Sequence, residues 1–434
     1  MGAYKQLVVL VGLLTLFGAS AEAAAKSTVC TITVNSEDER EVFRRHLPED
    51  RFEFVELVER GRTDWLARSC RRGIRCDLLI VSGHFAGTEF YSSKPDRPES
   101  LPVEEIERAQ CGGSCPGLFG GLKEVYLFGC DSLKPEPVKS AMPEIVRGLV
   151  EAGASSVEAQ RRARELSVRY GEASRDTMRR LFPNVPLIYG FSSLAPYGRV
   201  AGPMLEGLFR SGEAQEIGSG AASTRLVKLF APASMVLASG QREGDAHADF
   251  RAEACRAFDD RVSAGERVRL QHERLARPMP ELRMAFAAVE RFFATRESAE
   301  KSDATFAAAM QRLVDDVPTR EHYLAITRRT SDPALRLRMI DLARTVGWLD
   351  EPQHLAEKWH TVHDLLATPA LGYGEVDLVC ALALPPGTDH FFTSRKSGLS
   401  PVSGGGPPPL GGSSCTRARP RRSSSGRRRT CRAP

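Results

Sequence analysis

Two short apolar runs constrain this chain more than anything else in it. The first is Leu78-Leu-Ile-Val81, ended by Ser82-Gly83-His84. The second is Val125-Tyr-Leu-Phe128, ended by Gly129-Cys130. A continuous apolar run of this length, cut off by glycine, reads as a strand buried on both faces. Such strands belong to parallel sheets, and open parallel sheets bind ligands just beyond the carboxyl ends of their strands. If the two strands are neighbours, His84 and Cys130 emerge at one sheet edge. An imidazole beside a thiol acts as a general base and holds the thiolate, which is the reactive nucleophile.

The pattern resembles the caspase-like fold, the broad group containing caspases, metacaspases, clostripain, gingipains and bacterial CHAT-type domains. In that group a histidine ends one core strand in a Ser-Gly-His-Gly-like motif. The cysteine ends the next strand in a motif like Asp-x-Cys or Ser-Ala-Cys. Asp77 through His84 carries the first motif, and Leu127 through Ser132 carries a looser form of the second. The step from position 84 to position 130 is close to the roughly 50 residues of the caspase spacing. Phe85 stands where the family has glycine, and Phe128-Gly129 replace the usual residues before the cysteine.

The resemblance implies a thiol peptidase with a Cys-His dyad. Cys130 would attack the scissile carbonyl, and His84 would take its proton and later protonate the leaving amine. Backbone N–H groups near Gly83–Phe85 and at Cys130 would stabilise the oxyanion. Asp131 is a candidate substrate-binding residue, because clostripain-like relatives prefer arginine; its other reading is a cap on the helix that follows. No cofactor and no metal are implied. Calcium is not carried over, since no acidic loop has the required spacing.

Residues 1–25 read as a secretory signal. Lys5 supplies the positive charge, and Leu7 to Phe17 is an apolar core shorter than the ~20 residues a membrane span needs. Small residues between Ala19 and Ala25 offer cleavage sites. No later segment is long and apolar enough to span a membrane, so the expectation is a periplasmic or secreted protein.

From Ser27 to Phe209 strand and helix patterns alternate. Ser27–Val34, Phe52–Val58, the two motif strands and Val185–Gly190 read as strands. Glu37–His46, Asp64–Arg72, Val103–Ala109, Ala141–Ala152, Val157–Leu181 and Ala201–Phe209 read as helices. This order predicts an α/β domain over residues 26–215, a mostly parallel sheet flanked by helices. From 216 to 371 no strand is expected. Leu226–Leu237 and six later segments read as helices, giving an all-α module. Pro333 to Arg344, with Asp332 as N-cap, resembles a HEAT repeat helix. Such a module would serve as a platform for a substrate or partner protein whose identity the sequence leaves open.

Residues 372–434 change character. The Gly/Pro run at 404–412 and the Arg/Ser run after it cannot bury a core and read as a disordered tail. Arg395 through Pro434 holds ten Lys or Arg and no acid; removing it turns the chain's net +5 into −5 for the rest. The basic balance therefore belongs to the tail, and no nucleic-acid partner is expected for the folded part.

Cysteine usage bears on the site. Cys111-Gly-Gly-Ser-Cys115 suggests metal in a cytosolic chain and disulfide in an exported one. The disulfide reading leaves two options: a bridge within this loop, or partners elsewhere such as Cys70 and Cys76. Cys130 itself reads either as a nucleophile or as half of a disulfide. The functional expectation is an exported cysteine endopeptidase. The alternative is a catalytically inactive relative that acts as a binding module.

Overall fold

The computed structural model describes residues 26–367, apart from 63, 95, 97–98, 113–114, 116, 138–139, 213, 247, 260 and 295–302. The expected signal (1–25) and basic tail (372–434) lie outside the described residues.

The strands in chain order are β1 (Ser27–Thr33), β2 (Phe52–Glu56), β3 (Leu78–Ser82), β4 (His84–Phe85), β5 (Glu89–Tyr91), β6 (Ser100–Pro102), β7 (Glu124–Phe128), β8 (Leu187–Phe191) and β9 (Met235–Ala238). Six of them form the main sheet in the order β2-β1-β3-β7-β8-β9. All its pairs are parallel except β8 with β9. The protein is therefore α/β, with a mostly parallel sheet and a helical region after it.

The apolar runs are continuous because both faces are covered. Alternate residues of a strand point to opposite faces. Leu79 and Val81 join Val125, Leu127 and Ile188 in one core. Leu78 and Ile80 join Tyr126, Phe128 and Tyr189 in the other. Helices α2 (Trp65–Arg71) and α3 (Val103–Cys111) cover the first face through Trp65, Leu66, Val103 and Ile106. Helix α1 (Asp38–His46) covers the second through Val42 and Phe43.

Next come α4 (Met142–Glu151), α5 (Ser156–Tyr170), α6 (Ser174–Leu181), α7 (Gly198–Arg210) and α8 (Thr224–Leu229). Helix α7 lays Ala201 and Leu205 on the second core beside Val42 and Phe43. The single helix expected over Val157–Leu181 is two helices. Gly171 takes φ 65°, and its N–H closes the end of α5 on Ser167 and Val168. A left-handed glycine after the last turn is a helix stop.

The helix expected over Leu226–Leu237 is also wrong. Helix α8 ends at Leu229, and Ser234 adopts φ 60°. Met235–Ala238 then forms β9 beside β8. The sheet thus takes in a strand beyond residue 215. Pro232 sits in the intervening turn, where its missing N–H and fixed φ disfavour continuing the helix.

The helical region continues with α9 (Ala248–Arg256), α10 (Ala264–Leu275), α11 (Met279–Ala294), α12 (Ala304–Asp315), α13 (Val317–Arg329), α14 (Pro333–Thr345) and α15 (Glu351–Ala367). Its core includes Val268, Phe286, Leu313, Tyr323, Ile340 and Trp348. Asp332 caps α14 by accepting from the N–H groups of Ala334 and Leu335. No helix among the described residues is long and apolar enough to cross a membrane.

Among the described residues, three disulfides join Cys30 to Cys76, Cys70 to Cys115, and Cys111 to Cys255. The two cysteines of the C-x3-C loop are not paired with each other. One ties α3 to α9, and so the sheet to the helical region. The other ties the loop back to α2.

Candidate active site

His84 and Cys130 leave the sheet at the same edge. Strand β3 pairs with β7 in a register that sets Ser82 opposite Phe128. His84 and Cys130 each come two residues after this last pair. Beyond the ladder the two backbones stay together, with Gly83 N–H donating to Phe128 O at 3.3 Å. Gly129 is required by this closeness, and Gly83 by the packing of Val34 against it. A Cβ on Gly129 would stand 3.0 Å from Gly83 O, 3.0 Å from Phe85 Cβ and 3.1 Å from the Phe90 ring. One on Gly83 would stand 2.3 Å from a Val34 methyl.

His84 is 8% exposed and opens a second, antiparallel sheet of order β4-β5-β6. The sequence offered little sign of this sheet, because its strands are only two or three residues long. Its role is to turn the chain back over the edge. That turn brings Ser93 to the imidazole, with Nε2 3.1 Å from Ser93 Oγ. Asn35, just after β1, holds this segment through its Oδ1, which accepts from Ser93 N–H at 3.1 Å. The imidazole also lies against Tyr91 and Tyr197, with ring centroids at 5.4 and 6.2 Å. Burial pushes the His84 pKa below its usual value. Burial thus favours the neutral ring, the form that accepts a proton.

Cys130 is 5% exposed and is in none of the three disulfides. The turn that carries it is pinned on its far side by β8. Asp131 N–H donates to Ser193 O at 2.7 Å, and Leu133 N–H to Phe191 O at 2.9 Å. The buried Ser132 hydroxyl accepts from Phe191 N–H at 3.1 Å.

Asp131 adopts φ 56° within this turn. Its carboxylate lies 3.5 Å from Lys134 Nζ. The next helix does not start until Met142, so Asp131 caps no helix. Phe85 does not project into the site. It is buried, its ring tilted against that of Phe90 at 4.6 Å between centroids, and it belongs to the first core. The Gly83 N–H is committed to Phe128 O, which removes it from the expected oxyanion donors.

Sequence reasoning missed Ser93 and Asn35, which hold His84, and Glu39, a buried acid at the same edge. Ser92-Ser93 directly after the apolar Phe90-Tyr91 was the available signal for the first. His360 and His363, adjacent on α15, are exposed. Among the described residues no group of three or more His, Cys, Asp or Glu is arranged to hold a metal. No family model, curated protein or solved structure matches this chain.

Proposed function

We propose that the protein is an exported cysteine endopeptidase of caspase-like type, with Cys130 as nucleophile and His84 as its base. The observation that supports this reading is that β3 and β7 are parallel neighbours with Ser82 opposite Phe128, so His84 and Cys130 each follow two residues after a paired position at the carboxyl edge of the sheet. In the first step the Cys130 sulfur bonds to the scissile carbonyl carbon while its proton passes to His84. The C–N bond then breaks, and the amine leaves with that proton. Water, deprotonated by His84, next cleaves the thioester and releases the acid. The lowered His84 pKa and the Ser93 contact support the base role, since they favour the neutral ring and hold it in one orientation. Three disulfides support export, because such bonds persist in oxidising compartments. Asp131 would favour a basic residue before the scissile bond, in competition with Lys134.

A second reading, an inactive relative that binds a protein partner, is favoured by the burial of both His84 and Cys130. The two readings separate on purified mature protein, wild type beside Cys130→Ala. Self-cleavage is followed on a gel, and hydrolysis on a peptide library with each residue type before the scissile bond. Cleavage by wild type alone supports the peptidase. Silence of both proteins sinks it and leaves the binding module.

A further inference from the structure

A second chemically unusual group sits at the same sheet edge and has no part in the mechanism above. Glu39 lies in the first turn of α1 and is only 2% exposed. Its carboxyl is flanked by the hydroxyls of Ser36 and Ser82. Ser82 is the last residue of β3, two before His84, and is 1% exposed. Among the described residues, neither Glu39 Oε2 nor Ser82 Oγ meets a partner in good hydrogen-bonding geometry. A buried carboxylate oxygen without a donor is costly, whereas a carboxylic acid supplies its own proton to a neighbouring hydroxyl.

We propose that Glu39 is a positioning residue of this site: in its acid form it donates to the Ser82 hydroxyl and fixes the strand end from which His84 projects. The backbone of Ser82 is already clamped from the other side. Its carbonyl accepts from Val34 N–H at 3.0 Å and from Asn35 N–H at 3.2 Å. Asn35 in turn holds Ser93 against His84. The Ser82 hydroxyl is thus the adjustable point in an otherwise fixed turn. Ionisation of Glu39 would reverse the hydrogen bond, so that Ser82 donates. It would also place a negative charge beside the strand end.

The surroundings suit a group that titrates in the neutral range. Burial is the main cause, and it raises the Glu39 pKa to about 7. Asp38, next to it on α1, is the charge that adds to the rise. From β3 the facing group is the Ser82 hydroxyl. From α7, Gly198 and Gly202 approach Ser36 and Asp38. Glu206, farther along α7, is engaged by Arg45, His46 and Arg210. Arg40 on α1 is turned to Glu41 and Glu56.

This inference rests on the reading of His84 as the working base, but its test does not need catalysis. Full-length protein labelled with 13C at histidine Cε1 is titrated by NMR, with His84 assigned from a His84→Asn variant. In wild type the His84 resonance should show its own inflection below pH 6.5 and a second near pH 7 from Glu39. Glu39→Gln should abolish the second inflection while keeping the first. Ser82→Ala, which leaves the carboxyl but removes its link to the strand, should shrink the second inflection at least twofold. A single inflection in wild type, or a second one unchanged in Glu39→Gln, overturns the proposal. Peptide hydrolysis by the same samples reports separately on the peptidase reading. Loss of hydrolysis with the NMR result intact would sink the enzyme and leave the positioning role standing.

Discussion

Gly83 and Phe128 are joined by a backbone hydrogen bond one residue past the end of the β3–β7 ladder. That bond holds the two chains together just before His84 and Cys130. After Gly83 the chain leaves the main sheet, and His84 starts a new sheet instead of prolonging the old one.

The two glycines should therefore be intolerant of side chains. Gly129→Ala would push a methyl to 3.0 Å from both Gly83 O and Phe85 Cβ. Overpacking of this kind costs about 1–3 kcal/mol. Gly61→Ala meets no neighbour but has φ 76°, so it incurs backbone strain alone. Denaturant midpoints of the Gly129→Ala and Gly61→Ala variants measure the difference, and only the former should also slow reaction at Cys130.

Ser93 should matter through His84. A neutral hydrogen bond contributes about 1 kcal/mol, or roughly five- to tenfold in rate when it orients a base. Ser93→Ala is expected to lower kcat by that factor with KM little changed. Asn35→Ala, which frees the segment carrying Ser93, should show the same pattern. A change in KM alone would mean that the segment contacts substrate instead.

Glu39 makes stability depend on pH in a known direction. Its folded value of about 7 lies above its ordinary 4.5, so the unfolded chain releases the proton first. Its contribution is fully present below pH 4.5 and is lost as pH rises to about 7, beyond which it stays flat. The drop is about 3 kcal/mol at the 1.36 kcal/mol per unit that links pKa to free energy. Glu39→Gln should remove this slope in urea titrations between pH 4.5 and 7.5. An unchanged slope would assign the pH dependence to other groups.

Among the described residues, the Cys111–Cys255 bond closes the longest covalent loop, with a sequence separation of 144. By loop entropy, removing it from the unfolded state's constraints costs about 5 kcal/mol. The double variant Cys111→Ser/Cys255→Ser should lose most of that in equilibrium unfolding. Cleavage in the connection between β9 and α9 should leave the two pieces joined without reductant and separated with it, as read on paired gels.

The sheet was legible in the sequence where burial was complete. Leu78–Val81 and Val125–Phe128 are covered on both faces, so composition alone marks them as strands. The small sheet was not legible, because two- and three-residue strands have no period to detect. Strand β9 was hidden because Met235–Ala238 is only partly buried and follows an apolar helix. The positions of His84 and Cys130 followed from the strand ends. Their supports did not, because Ser93, Asn35 and Glu39 come from three separate segments that only the folded chain brings together. The disulfides were partly legible: of the options for the C-x3-C loop, Cys70 is a partner, but the bridge within the loop does not form, Cys76 pairs with Cys30, and Cys255 lies far along the chain with no local signal.

The most direct test of the central claim is the alkylation rate of Cys130 in the native protein. Iodoacetamide is added under non-reducing conditions at pH 7, and the Cys130 peptide is followed by mass spectrometry in wild type and in His84→Ala. A His84 that serves Cys130 as its base predicts modification in the folded wild type and a loss of about 10²-fold or more in the variant, the scale of a general base. A Cys130 that reacts only after unfolding, or that reacts equally fast without His84, would contradict it.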